Sequence, residues 1–178
     1  MTVILGIDPG SRLTGYGIIK VDGSRLIYLE SGCIRIQGDV LSERLRQIFS
    51  GLQEIIAKHQ PMDAAIEQVF MHQNPGSALK LGQARGVAIA AAAMGSIPVA
   101  EYSARQIKQA VVGHGAAKKE QVQQMVRVLL GLSANPQADA ADALGVALCH
   151  AHSRQHLKML GAQQKIIATV RFRRGRMR

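Results

Sequence analysis

The chain has 178 residues, 47% hydrophobic but only 3% aromatic, and a formal net charge of +10. This length supports one sizeable core, so we expect a single folded domain. Two cysteines without a Cys-x-x-Cys motif argue against a disulfide framework and fit a reduced, cytoplasmic setting. The longest uninterrupted apolar run, residues 87–94, is far shorter than the ~20 residues of a membrane span, so we expect a soluble protein with no membrane partner.

The positive charge is concentrated at the carboxyl end. Residues 151–178 contain eight Lys and Arg and no acidic residue, whereas residues 1–150 have a net charge of only +2. Such a tail suits neutralisation of nucleic-acid phosphates, although a merely solubilising end would have the same composition. We therefore expect a folded domain over residues 1–156 and a basic, flexible tail over residues 157–178.

Hydropathy patterns and turn signals divide the folded part into five strands and five helices. The predicted strands are residues 2–8, 14–21, 25–37, 63–69 and 98–102, and the predicted helices are residues 41–59, 76–94, 103–112, 119–131 and 137–156. Three consecutive strands followed by alternating helices and strands indicate an α/β fold with a mixed five-stranded sheet flanked by helices. In the second helix Gly82, Gly86 and Ala90 recur every fourth residue, which permits close approach to the sheet or to another subunit.

Four carboxylates stand at positions where such a fold can gather them. Asp8 and Glu67 each end an apolar strand, and Asp139 and Asp142 share one face of the last helix. Taken singly, each has an ordinary structural role: Asp8 can start a turn, Glu67 can form an ion pair with a lysine, and Asp139 and Asp142 can stabilise a helix N-terminus. Taken together, they form a cluster of like charges that needs cations, and oxygen ligands without Cys or His at ligand spacing favour Mg²⁺ or Mn²⁺. The pattern is typical of two-metal phosphodiester hydrolysis.

Five motifs then point to one family. They are IDPG at residues 7–10, TGYG at 14–17, IEQVF at 66–70, LKLGQARG at 79–86 and DAADAL at 139–144. In this order they resemble the motifs of the RuvC Holliday-junction resolvases, over nearly all of residues 1–156. The resemblance implies a ribonuclease-H-like fold, a homodimer, and an endodeoxyribonuclease that resolves four-way DNA junctions by paired symmetric nicks in recombination and repair. It also implies a partnership with a RuvA/RuvB branch-migration complex.

The resemblance also implies roles for the four acids as catalytic ligands of two Mg²⁺ ions, for which Mn²⁺ can substitute. We expect Asp8 to bridge both ions, Glu67 to bind one of them, and the pair Asp139 and Asp142 to bind the other. Hydrolysis of this kind leaves a 5′-phosphate and a 3′-hydroxyl, which a ligase can rejoin.

Three further residues are candidates for DNA contact. Lys108 and Lys119 occupy positions that the family uses to bind DNA, and Lys119 can also neutralise charge in the transition state. Phe70 is a candidate to stack on an unpaired base at the junction centre, a contact worth roughly 1–3 kcal/mol. The simpler interpretations are solvated lysines and a core phenylalanine. Cys149 and the nearby histidines His150, His152 and His156 lie on an apolar helix, so we interpret them as surface or packing residues and not as a zinc site.

Two other functions fit parts of the pattern. The IDPG and TGYG motifs also look like the first phosphate loop of actin-like ATPases, but those proteins need a second Asp-x-Gly loop and a Gly-rich adenosine motif, and the sequence has neither. A catalytically inactive junction-binding module would bind the same DNA through phosphates without needing the four acids.

Overall fold

The computed structural model describes residues 1–68 and 75–155. Five strands form one sheet in the order β3-β2-β1-β4-β5. They are β1 (Thr2–Asp8), β2 (Leu13–Asp22), β3 (Arg25–Arg35), β4 (Asp63–Glu67) and β5 (Val99–Tyr102). The first three are antiparallel neighbours, whereas β4 runs parallel to β1 and β5 parallel to β4. The predicted mixed five-stranded sheet is confirmed.

Helices cover both faces of the sheet. They are α1 (Leu41–His59), α2 (Pro75–Met94), α3 (Ala104–Val112), α4 (Lys119–Leu130) and α5, which spans residues 138–155 of the described chain. One core cluster joins α1 and α2 to one face of the sheet, and a second joins α3, α4 and α5 to the other. Aliphatic side chains and alanines fill both clusters, as the low aromatic content requires. Within residues 1–68 and 75–155, no helix is long and apolar enough to cross a membrane.

Glycines let α5 lie directly on the backbone of β1 and β2. A Cβ on Gly6 would lie 2.1 Å from the carbonyl oxygen of Ala143, and one on Gly17 would lie 2.7 Å from the side chain of Leu144. Gly6 and Gly17 are paired across β1 and β2, so two neighbouring strands lack side chains where α5 packs on them. Any larger residue there would push α5 away from the sheet.

Two predicted strands end earlier in the structure. The strand predicted for residues 25–37 ends at Arg35. The Ile36 amide still donates to the Arg12 carbonyl at 3.0 Å, just before β2 begins, but the Gln37 amide donates to Oε1 of Gln47 at 2.9 Å and so turns from the sheet to α1. The strand predicted for residues 63–69 ends at 67, and residue 69 lies outside the described chain.

Caps correct the bounds of two helices. The helix predicted from residue 103 begins at 104, because Ser103 is its N-cap and accepts a hydrogen bond from the Gln106 amide at 3.3 Å. The helix predicted to residue 131 ends at 130, because Gly131 adopts a left-handed conformation with φ of 63°. The other bounds differ from the predictions by at most one residue within the described chain.

The small-residue row of α2 faces away from the sheet. Gly82, Gly86 and Ala90 are exposed, and a Cβ on either glycine would meet no heavy atom within 4 Å. The opposite face of α2 carries the buried residues Ala84 and Ala88. Of the two uses predicted for this row, approach to the sheet is therefore wrong.

Candidate active site

The strand ends place Asp8 and Glu67 side by side. β1 and β4 are parallel and pair Ile7 with Ile66, so the two acids follow at the same edge of the sheet. Side chains alternate between faces along a strand, and Gly6, two residues before Asp8, faces α5. Ala65, two residues before Glu67, packs in the core cluster on that same face. Both carboxylates therefore point toward α5.

The first turn of α5 brings in the other two acids. Gly15 is paired with Asp8 across β1 and β2, and a Cβ on Gly15 would lie only 2.1 Å from the carbonyl oxygen of Asp139. The helix is regular from its start, where the Ala141 amide donates to the Gln137 carbonyl at 2.8 Å. Asp139 and Asp142 thus lie beside the end of β1, at a helix N-terminus whose dipole favours negative charge.

The four acids interact electrostatically. Burial and, in decreasing order, the charges of Glu67, Asp142 and Asp139 together raise the pKa of Asp8 from 3.8 to about 7, although Lys119 opposes the rise. Burial likewise raises the pKa of Glu67, with a further contribution from Asp142. The structure therefore brings together the four residues singled out in the sequence, and their mutual repulsion is only partly relieved by nearby cations.

Two lysines line the same site. The ammonium group of Lys119 lies 2.7 Å from Oδ2 of Asp142, and this hydrogen bond raises the pKa of Lys119. Lys108 and Lys119 also counteract the rise in the pKa of Glu67. Together with Glu67 and Asp142 they line a cavity of about 190 Å³ beside the carboxylates. Both predicted DNA-contact lysines are thus part of the site.

The donor chemistry of the cluster fits divalent cations. All four candidate ligands offer carboxylate oxygens, which Mg²⁺ and Mn²⁺ prefer, and burial together with the neighbouring acids raises the pKa of Asp8, so a bound cation would stabilise its ionised form. Within the described ranges, no group of three or more Asp, Glu, His or Cys side chains is already arranged to hold a metal ion. One oxygen of Asp142 is instead paired with Lys119.

The turn after Asp8 is held by residues that sequence reasoning missed. Thr14 is fully buried, and its hydroxyl donates to the Gly10 carbonyl at 3.0 Å. Arg44, at the start of α1, donates to the carbonyl oxygen of Ser11. Thr14 lies in the TGYG motif, so its motif could have suggested a structural role. Arg44 is 33 residues from Ser11, and no local pattern connects them.

Other predicted residues fall elsewhere. Phe70, His156 and the basic tail at residues 157–178 lie outside the described chain. Cys149 and His150 are buried, and Nδ1 of His150 lies 2.9 Å from the hydroxyl of Tyr102. His152 is partly buried, with Nδ1 3.1 Å from the Ala110 carbonyl. The interpretation of Cys149, His150 and His152 as packing residues is confirmed.

Comparison with known proteins identifies the family. Residues 4–150 match the family model described as "Crossover junction endodeoxyribonuclease RuvC". This chain belongs to the RuvC family. It is 62% identical over 174 residues to the protein of that name from Tolumonas auensis, covering 97% of this chain and 99% of the relative. It is 60% identical over 173 residues to the one from Psychromonas ingrahamii, with the same coverage.

Solved structures agree with the family assignment. Thermus thermophilus RuvC in complex with a Holliday junction substrate matches with a TM-score of 0.82 and 35% identity, over 88% of this chain and 97% of that one. The yeast mitochondrial Holliday junction resolvase Ydc2 matches with a TM-score of 0.61 at 15% identity, over 82% of this chain and 76% of that one, which supports the fold alone. The fold of this RuvC-family chain is ribonuclease-H-like, as the motifs implied.

Proposed function

We propose that this chain is a crossover junction endodeoxyribonuclease, which resolves four-way DNA junctions by paired symmetric nicks in homologous recombination and DNA repair. The observation that carries the proposal is the electrostatic coupling of Asp8 with Glu67, Asp139 and Asp142 at one edge of the sheet. Membership of the RuvC family and the likeness to a RuvC bound to a Holliday junction support the same substrate.

The four acids are the proposed ligands of two Mg²⁺ ions, with Mn²⁺ as a substitute. Asp8 would be shared between the ions, Glu67 would bind one, and the pair Asp139 and Asp142 would bind the other. When bound, the ions supply Lewis-acid activation of the attacking water and charge neutralisation at the leaving oxygen. The carboxylates hold the negative charge that selects such cations, and α5 fixes two of them through its packing on Gly15.

The two lysines are the proposed cations for the scissile phosphate. Lys108 and Lys119 line the cavity beside Glu67 and Asp142, where a phosphate oxygen can take their hydrogen bonds. Lys119 is already anchored by Asp142, which presents its ammonium group toward the carboxylate edge. It is the better placed of the two to stabilise charge that develops on the phosphate during hydrolysis.

A homodimer would supply the two cuts that resolution needs. One site per subunit and a two-fold axis give matched nicks in two strands. The exposed row Gly82, Gly86 and Ala90 on α2 is the proposed interface, because its small side chains allow a second helix to approach closely and it carries no charge. Stacking by Phe70 and a RuvA/RuvB complex as partner remain predictions of the family resemblance. Phosphate binding by the tail at residues 157–178 and a cytoplasmic location remain predictions from the composition of the sequence.

Three single variants test the proposal. Asp8→Asn, Glu67→Gln and Asp142→Asn each remove one proposed metal ligand and no DNA-facing cation, so each should abolish Mg²⁺-dependent cleavage and leave junction binding intact. Glu43→Gln, an exposed carboxylate on α1, is the matched control and should cleave normally. Wild-type cleavage rates in any of the three variants would refute the ligand assignment. Junction binding without cleavage by the wild type would favour an inactive binding module, and ATP hydrolysis would favour an actin-like enzyme.

A further inference from the structure

Arg35, the last residue of β3, lies on the same side of the sheet as the carboxylates. Cys33 is paired with Gly15, which is paired with Asp8, so Cys33 and Asp8 face the same side. Arg35 is two residues beyond Cys33 and therefore shares that face. The electrostatics agree, since burial and then Asp139 raise the pKa of the Cys33 thiol, while Arg35 opposes the rise.

The carboxylates lie between this arginine and the two lysines. Lys108 and Lys119 line the cavity next to Glu67 of β4, whereas Arg35 lies at the opposite edge of the sheet, on β3. β3 is two strands from β1, or about 10 Å at roughly 4.8 Å per strand. This separation exceeds the reach of a single phosphate group, so the lysines and Arg35 would contact different phosphates of one DNA strand.

Arg35 is free to bind an external anion. Its side chain is exposed and forms no ion pair with residues 1–68 or 75–155, whereas Lys119 is paired with Asp142. An arginine can bind a phosphate through two parallel hydrogen bonds, which fixes orientation as well as charge. A DNA strand bound only by the lysines could move away from the carboxylates on the β3 side.

We infer that Arg35 binds a backbone phosphate of the DNA substrate on the β3 side of the carboxylates, so that cations hold the cleaved strand on both sides of the scissile bond. The inference rests on the proposed function and extends it, because none of the residues assigned so far lies on that side. The contact with Arg35 restricts the DNA strand to a position across Asp8 and Glu67, and such positioning contributes directly to the rate of cleavage.

Arg25 offers a matched control. It is the first residue of β3, at the end of the sheet remote from the carboxylates, and it is exposed like Arg35. In the strand register Arg25 stands opposite Asp22 of β2, but like Arg35 it makes no ion pair within the described part of the chain. Replacing either arginine removes one exposed positive charge from the same strand, so general charge effects should be equal in the two variants.

The test measures junction affinity against salt. Binding of a fluorescently labelled four-way junction is followed by anisotropy from 50 to 200 mM NaCl, with Ca²⁺ in place of Mg²⁺, for the wild type, Arg35→Ala, Arg35→Lys and Arg25→Ala. We expect Arg35→Ala to bind several-fold more weakly at 50 mM salt and to flatten the slope of log affinity against log salt by about 0.9, the value for one lost phosphate contact. Arg25→Ala should match the wild type, and Arg35→Lys should restore the slope.

The outcomes separate this inference from the proposed function. Wild-type binding and cleavage with an unchanged slope in Arg35→Ala, or an equal loss in Arg25→Ala, would overturn the inference alone. A wild type that fails to bind junctions would overturn both. Melting curves by circular dichroism confirm that the variants fold, which their exposed positions lead us to expect.

Discussion

Burial of Asp8 and its repulsion by the neighbouring acids predict that a variant without activity is more stable than the wild type. Asp8 has a pKa of about 7 in the folded chain against 3.8 ordinarily. Each pH unit between these two values corresponds to about 1.4 kcal/mol, so ionised Asp8 costs the metal-free protein up to about 4 kcal/mol at pH 8. Asp8→Asn removes the charge at nearly the same shape, and since the amide still needs hydrogen-bond partners we expect a net gain of about 1–3 kcal/mol.

The stability that Asp8→Asn gains over the wild type should increase as the pH rises. Because the folded pKa of Asp8 lies above the unfolded value, the folded state holds the proton more tightly between about pH 4 and pH 7. The free energy of unfolding of the wild type should therefore fall, relative to Asp8→Asn, as pH rises through that window. Below about pH 4 the carboxyl is protonated in both states and the difference should disappear.

Urea unfolding followed by circular dichroism in EDTA, from pH 4 to pH 8, measures this difference. Asp39→Asn, which neutralises an exposed carboxylate, serves as the control and should track the wild type. Added Mg²⁺ should stabilise the wild type more than Asp8→Asn, because ligand binding to the folded state adds to stability. A wild type more stable than Asp8→Asn at pH 8, or a difference that does not change with pH, would refute the electrostatic reasoning.

Three further predictions concern packing, assembly and charge. Gly15→Ala places a methyl group against the Asp139 carbonyl, so it should cost about 1–3 kcal/mol of folding free energy in urea unfolding and lower the cleavage rate by shifting α5; full activity would contradict the proposed packing. Gly86→Leu should weaken dimerisation in analytical ultracentrifugation and uncouple the two nicks, whereas an unperturbed dimer would move the interface elsewhere. Deleting residues 170–178 should weaken binding to junctions and duplexes alike and flatten the salt slope by up to about 0.9 per lost contact, with junction preference retained; identical slopes would show the tail to be a spectator.

The sequence predicted those parts of the site that depend on local patterns. Asp8 and Glu67 end short apolar strands, and the alternation of side chains and the parallel pairing of β1 with β4 then place both on one face. Asp139 and Asp142 are three residues apart at the start of a helix, so one face must carry both. Local patterns were therefore enough to single out the four acids as candidates, although only their combination favoured a metal site.

Contacts between distant segments could not be predicted in the same way. The ion pair of Lys119 with Asp142 and the hydrogen bond from Arg44 to Ser11 join residues from different elements, and many alternative partners satisfy the same residue types. The packing role of Gly15 is similar, because a glycine in a strand indicates a close approach without naming what approaches. Arg35 gained significance only when the strand register placed it on the carboxylate side.

Cleavage of a four-way junction labelled on each strand tests the central proposal most directly. With Mg²⁺, the wild type should nick two strands at symmetric positions, leave 5′-phosphate and 3′-hydroxyl ends that DNA ligase reseals, and leave linear duplex of the same sequence largely intact. Failure to cut the junction in Mg²⁺ or Mn²⁺, or equal cutting of junction and duplex, would contradict the assignment of this chain as a junction-resolving endonuclease.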